Sequence, residues 1–303
     1  MRNSFMDELH KMASLDSNFM LLTGDLGFGV VEKFQNSYPA QFINCGVAEQ
    51  NMIGMAAGLA SEGKKVFVYS IANFPTFRCL EQIRNDICYH GFPVTIVAIG
   101  SGLSYGTLGY THHAIEDIGI MRALPGIRIL SPIDPPEVIN CLQLINEKPM
   151  PTYLRLGKSG ESSINDDSEI DVETMKMHIK GKRCLVISTG TISDYCKVAV
   201  ESINNGESGD IGFATITQIK PFVVDPSIFH EYSHVVTVEE HSLNSGFGSI
   251  VNDYIISNQL NLKILNIGLP DKISHIIGSS KYLRSINGID VISLVSKITN
   301  FID

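Results

Sequence analysis

No apolar run in the 303 residues approaches the roughly 18 residues that a membrane-spanning helix requires, so a bilayer span is not expected. Runs of lysine or arginine are also missing. The 23 basic and 32 acidic residues leave a formal net charge of −9, which argues against nucleic acid or anionic lipid as the principal partner. Small anionic metabolites stay open through local basic residues. The six cysteines (Cys45, Cys79, Cys88, Cys141, Cys184 and Cys196) are widely spaced and form no C-x-x-C pair. Neither a zinc site nor a disulfide framework is therefore indicated, and buried thiols are expected. The opening residues MRNSFMDELHKM lack the continuous apolar stretch of a secretory signal, from which a cytoplasmic location is expected. No internal repeat is visible.

What is present is an ordinary globular composition, 44% hydrophobic and 18% charged, in a chain long enough for two domains with a core each. Short β-branched runs, FMLLTG (19–24), KVFVYSI (65–71), VTIVAIG (94–100) and IRILSP (127–132), read as buried strands. Between them, EQNMIGMAAGLASEG and DPPEVINCLQLINEK show helical apolar spacing, the second opening with Asp134 and two prolines as a helix start does. Alternating strands and helices predict an α/β domain with a parallel sheet covered on both faces, closing near TYLRLGK (152–158). A polar, acidic stretch follows and reads as a linker. Beyond it RCLVIST, GDIGFATI, HVVTVEEH and LKILNIG supply a second set of strands, with helices starting at Ser193 and after Gly246. The expected division is a first α/β domain over 1–160, a linker over 161–180 and a smaller α/β domain over 181–303.

In open α/β sheets, ligands gather at the carboxyl ends of the strands. Three loops there contain residues with chemical potential. In INCGVAEQNMIGMAAGLA, Glu49 stands at the mouth of an apolar helix, as a first-turn charge or as a ligand contact. In SIANFPTFRCLEQIRND, Phe74 and Phe77 lie three apart at a helix start; such a pair is more often plain core than a stacking platform. In SGLSYGTLGYTHHAIEDIGIMRALPG, the pair His112 and His113 is a metal site, a helix-start feature or a proton-transfer group, and the shortage of further ligands favours the last. The G-x-G at Gly100 and Gly102 does not have dinucleotide spacing and is set aside.

The string GVAEQNMIGMAAGLA resembles the thiamine-diphosphate family of transketolases and deoxyxylulose-phosphate synthases. The resemblance implies that Glu49 hydrogen-bonds a ring nitrogen of the cofactor's aminopyrimidine and favours its imino tautomer, which deprotonates the thiazolium carbon; the protein orients and tunes a cofactor that does the carbanion chemistry. It further implies that Phe74 and Phe77 stack on the pyrimidine, with a third family aromatic replaced by Leu80. His112 aligns with the histidine facing the reacting carbons of the donor. Asp25 and Leu26 match a cofactor-contacting Asp-Leu pair, while Gly29 stands where the family has serine. Arg2 and Lys158, or Arg155, fall where the family keeps phosphate-binding basic residues. Leu108 replaces an acidic residue that reads a sugar hydroxyl, so the substrate differs from the family norm or is recognised differently. VTVEEHSLNSGFGSIVND resembles the family's C-terminal domain, where Glu239, Glu240 and His241 are assigned to structure and subunit contacts.

The family holds its divalent metal, Mg²⁺ or Ca²⁺, with a G-D-G motif and a later asparagine, and no such segment occurs in this sequence. The resemblance therefore implies half of each active site, completed by an N-terminal subunit carrying the diphosphate-binding domain in an α2β2 assembly acting on sugars or sugar phosphates. The leading reading is a two-chain transketolase transferring a two-carbon ketol unit. Its rivals are the β subunit of a 2-oxo acid dehydrogenase, a deoxyxylulose-phosphate-synthase-like enzyme, and a non-catalytic regulatory subunit with the same fold. Retention of Glu49, Phe74 and His112 argues against the last.

Overall fold

The computed structural model describes residues 1–165, 169–206 and 209–303. Five of the aliphatic runs become the core of a seven-stranded sheet: β1 (Phe19–Thr23), β2 (Phe42–Asn44), β3 (Lys65–Ile71), β4 (Val94–Ile99), β5 (Arg128–Leu130), β6 (Thr152–Leu156) and, much later in the chain, β10 (Gln218–Lys220). Their order is β10-β5-β6-β4-β3-β1-β2. All pairs are parallel except β10 with β5. Strands buried on both faces need no polar alternation, which is why β1, β4 and β6 read as continuous buried runs.

The helices that cover this sheet form for local reasons. In α2 (Glu49–Ser61), Met52, Ile53, Ala56, Ala57 and Ala60 recur at helical spacing and are buried on one face; Gly63 (φ +84°) closes the turn beyond its end. Helix α5 (Pro135–Glu147) is capped by Asp134, whose side chain accepts from the Glu137 N–H, with two prolines in the first turn where their missing N–H groups cost nothing. Helix α1 (Arg2–Leu15) lies against α5 on the opposite face of the sheet from α2. Two short helices, α3 (Asn73–Arg78) and α4 (Asp117–Arg122), sit at strand carboxyl ends.

The second sheet has five strands in the order β12-β11-β8-β9-β7, with β7 (Met175–Ile179) antiparallel to β9 (Ile211–Ile216) and β8 (Cys184–Ser188), β11 (His234–Ser242) and β12 (Lys263–Leu269) parallel. Helices α6 (Ser193–Asn204) and α9 (Val291–Ile302) cover one face. The other face, with α7 (Phe247–Ser257), shares one continuous apolar cluster with the first sheet, running from Met20 and Val68 through Ile118 and Ile219 to Leu185 and Phe247. Helix α8 (Ser280–Ile286) approaches the loop after β4. The two-domain α/β architecture is thus as the sequence indicates.

The stretch 161–180, expected as a linker, contains β7 and is fastened to α5: Ile164 and Asn165 donate their N–H groups to Asp134, and Ile170 donates to Asn140 Oδ1. Residues 166–168 of that stretch lie outside the described residues. The cysteines are all free thiols, four of them buried. Among the described residues no helix is long and apolar enough to cross a membrane.

Candidate functional site

The loops leaving β1 to β4 and β6 converge at one end of the first sheet. Glu49 is the first residue of α2, and its side chain is only 4% exposed although it carries a charge at a helix mouth. It faces the end of β1, where a Cβ on Gly24 would lie 3.8 Å from its Cγ. Arg78, the last residue of α3, donates through Nη1 to the Glu49 carboxylate at 3.0 Å. The same guanidinium lies 4.5 Å above the Phe74 ring centroid, a cation–π arrangement made by the i, i+4 spacing of the two residues on α3. On its other side the half-buried Phe74 ring meets the His112 imidazole edge-on, with centroids 5.5 Å apart. Beyond His112 stands Tyr105 at 6.5 Å, and the Lys158 ammonium lies 5.2 Å over the Tyr105 ring. Glu49, Arg78, Phe74, His112, Tyr105 and Lys158 therefore form one connected line across the strand ends.

The neighbouring loops are held by backbone devices. Asp25 adopts φ +56°, a conformation uncommon outside glycine that costs about 1–3 kcal/mol and collects at functional sites. Asn44 at the end of β2 fixes it: Asn44 Oδ1 accepts from the Asp25 and Gly46 N–H groups, and Asn44 Nδ2 donates to the Asp25 carboxylate. Leu26 is half-buried and, like Tyr105, packs against the α1–α5 core. Arg2 is half-buried with Nε unpartnered, close enough to Tyr69 and Tyr105 for its charge to act on both phenols. Phe77 on α3, Phe28 in the loop after β1 and Val47 just before α2 are exposed.

The structure separates the two adjacent histidines. His112 is partly exposed and its Nδ1 is within 3.0 Å of the Thr111 hydroxyl. His113 is fully buried, neither ring nitrogen has a partner at full hydrogen-bond geometry, and burial lowers its pKa against smaller upward pulls from the nearby Gly106 backbone and then Glu240. Its carbonyl accepts from the Asn73 side chain, which ties the loop to the start of α3. Cys79, next to Arg78, is pushed up to about 12 by burial with the Glu49 charge second, so it stays a neutral thiol.

Arg155 leaves the set of candidate substrate contacts. It is 3% exposed, its Nε donates to Asp117 Oδ2 at 2.8 Å, and its Nη2 donates to the carbonyls of Ala114 and Glu240. With three of its five N–H donors committed inside the protein and the side chain almost fully buried, this guanidinium is poorly placed to meet a phosphate. Leu80 packs against the apolar core instead of joining the aromatic recess. Glu239, Glu240 and His241 are buried inside the chain: Glu239 accepts from the Phe247 and Gly248 N–H groups of its own domain, while Glu240 and His241 accept from Leu103 and Gly119 across the seam between the domains. Arg78 and Tyr105 were present in the motifs without an assigned role. The signal for Arg78 was its i+4 offset from Phe74; Tyr105 had none, since its ring is brought to His112 by a loop.

The recess suits an aminopyrimidine ring. A buried carboxylate at one edge and an aromatic face beside it already accommodate a planar, hydrogen-bonding group, the Arg78 guanidinium. The described residues contain no cluster of three or more His, Cys, Asp or Glu side chains arranged to hold a metal ion.

Residues 1–160 match the family model described as transketolase, pyrimidine binding domain, and residues 173–284 match that described as transketolase, C-terminal domain. An apulose-4-phosphate transketolase subunit of Phocaeicola vulgatus is 33% identical over 295 residues, covering 95% of this chain and 93% of that protein. A putative transketolase C-terminal section of Methanocaldococcus jannaschii is 35% identical over 304 residues, covering 98% and 95% respectively. A solved structure described as a split gene transketolase, inactive beta4 tetramer, superposes with a TM-score of 0.87 at 26% identity, covering 99% of this chain and 97% of that one.

Proposed function

The chain belongs to the transketolase family, and from that membership we propose that it is the C-terminal subunit of a two-chain enzyme that moves a two-carbon ketol unit between sugars. The family implies dependence on thiamine diphosphate, which when bound supplies the carbanion chemistry. One observation carries the assignment of the site: a buried carboxylate, Glu49, shares a recess with a partly exposed aromatic face, Phe74, at the carboxyl end of a parallel sheet.

In this reading Glu49 and Phe74 hold the pyrimidine ring, with Phe77, Asp25 and Leu26 bounding the recess. For that to happen Arg78 must give up the carboxylate and the ring face that it now occupies. His112 then holds or moves a proton at the donor's oxygen atoms, and Lys158 and Arg2 offer positive charge to a phosphate at the far end of the substrate, beyond Tyr105. The name of the Phocaeicola relative supports a phosphorylated sugar as substrate. The metal and the diphosphate are assigned to the partner chain, in an α2β2 assembly. In support, Phe28 (80% exposed), in the loop after β1, and Val47 (73% exposed), two residues before Glu49, are large apolar side chains left uncovered.

The test is reconstitution with an N-terminal chain that has the G-D-G motif. The protein alone is expected to fold, bind thiamine diphosphate weakly and turn over no ketose donor, with activity appearing on mixing. Glu49→Gln is expected to leave folding and association with the partner intact, and to slow hydrogen exchange at the thiazolium carbon, followed by NMR, by at least about tenfold. Turnover by the isolated chain would sink the two-chain reading, and unchanged exchange would reduce Glu49 to a helix-mouth charge.

A further inference from the structure

The segment that carries His112 has little structure of its own. Between β4 and α4 it contains only two single turns, and Gly100, Gly102 and Gly109 adopt φ of +91°, +59° and +79°. Its neck is closed by reciprocal hydrogen bonds of 2.9 Å between Gly102 and Ala114, two residues from His112. What decides the shape of such a loop is whatever holds the neck; here the first domain holds it through Asn73 and Arg155, and the second domain holds it as well.

Glu240, on β11, reaches the neck from both sides. Its carboxylate Oε1 accepts from the Leu103 N–H at 3.2 Å, and its main-chain oxygen accepts from Arg155 Nη2, the atom that also donates to the Ala114 carbonyl. The approach is close enough that a Cβ on Gly102 would fall 2.6 Å from Glu240 Cγ. The carboxylate is itself locked: Arg284 donates to both oxygens at 3.2 and 2.7 Å, and the Thr191 hydroxyl donates to Oε2 at 3.3 Å. Helix α8, which bears Arg284, also supplies Leu283 against Gly106, and the preceding Gly278 donates its N–H to the Gly106 carbonyl. The charge is 3% exposed and fully bonded, and the group it grips is the loop of the other domain.

We propose that Glu240 is a positioning residue for the reaction: held by Arg284, it fixes the neck of the 102–114 loop and so sets where His112 stands relative to Phe74 and the donor. The proposal rests on His112 being a donor-side contact. It gives the second domain, which places no side chain of its own in the line from Glu49 to Lys158, a share in the chemistry.

The test uses Glu240→Gln in the full chain. An amide has one acceptor oxygen where the carboxylate has two, so its NH2 must face donors, either Arg284 Nη2 and the Thr191 hydroxyl at the Oε2 position or the Leu103 N–H and Arg284 Nε at the Oε1 position, and the grip on the neck is weakened either way. Histidine-selective NMR of the chain alone is expected to show the His112 ring signals shifted or broadened while those of His10 and His178 stay in place. In the enzyme reassembled with its partner, donor kcat/KM is expected to fall at least about tenfold, with thiamine diphosphate affinity changed less than about twofold. Thr191→Val, which touches Glu240 but not the loop, should leave the His112 signals unmoved. If Glu240→Gln does not fold, Gly102→Ala makes the same test, because its methyl group would lie 2.6 and 2.7 Å from Glu240 Cγ and Cδ at a φ of +59° and so forces the neck and Glu240 apart without removing the Glu240 charge. A lower melting temperature with unmoved His112 signals and unchanged donor kinetics would overturn the proposal and leave Glu240 as a strut. His112 signals that move, combined with a kinetically silent His112→Ala, would uphold the link between Glu240 and the loop and sink the donor-side role on which its function depends.

Discussion

Two neighbouring histidines show what a residue's surroundings add to its identity. His112 faces an aromatic ring and solvent, whereas His113 is sealed in, neither nitrogen having a partner at full hydrogen-bond geometry. His112→Ala is therefore expected to spare cofactor affinity and to lower donor kcat/KM by about 10²–10⁴, the usual worth of a positioned proton-transfer group. His113→Ala leaves a buried hole and should show mainly as a lower melting temperature. Steady-state kinetics beside thermal unfolding separates the two; a kinetic loss at 113 with none at 112 would shift the donor contact by one residue. Glu49, Phe74 and His112 drew attention in the sequence because each lies in a segment that follows a strand run. Their contacts were not legible there. Arg78 reaching Glu49 depends on α3 packing near α2, a meeting of segments 29 residues apart.

Among the elements, α5 shows how much can hang on one cap. Asp134 is fully buried; Oδ1 accepts from Glu137, and Oδ2 accepts from Ile164 and Asn165, both at 2.8 Å. Asp134→Ala removes an N-cap worth about 1 kcal/mol and strands two buried N–H groups at about 1–3 kcal/mol each. A loss of about 3 kcal/mol or more is expected in urea unfolding, and a loss below about 1 kcal/mol would show that water replaces the carboxylate. The cap itself was legible as Asp-Pro-Pro; its second job was not, because the residues it binds lie in a stretch that is polar in composition. Strands β7 and β10 escaped the sequence for a related reason. β10 has three residues, too few for an apolar period to declare itself, and β7 (MKMHI) is only half-buried at a sheet edge.

At the scale of the whole molecule, the two domains are joined by more than a chain connection. β10, which follows β9 of the second sheet after a single residue, completes the first sheet as its antiparallel edge, and one apolar cluster runs between the sheets. Buried pairs cross the seam as well: Arg155 with the Glu240 carbonyl, and His241 Nε2 accepting from the Gly119 N–H. Calorimetry of the full chain is expected to show one cooperative transition, with calorimetric and van't Hoff enthalpies in agreement; two resolved transitions would mean that the seam contributes little. A fragment ending at residue 160 should be poorly soluble, since it would expose the face of β5 that β10 pairs and the apolar surface shared with the second sheet. The sequence by itself determined the α/β class, most strands and helices, and the family, because those depend on apolar period, turn residues and motifs a few residues long. Only the tertiary structure decided that Arg155 is a buried strut, that Arg78 covers Glu49 and Phe74, and that the second domain grips the His112 loop. Those outcomes rest on contacts between residues far apart in the chain, and burial and hydrogen-bond saturation come into being only when the segments pack.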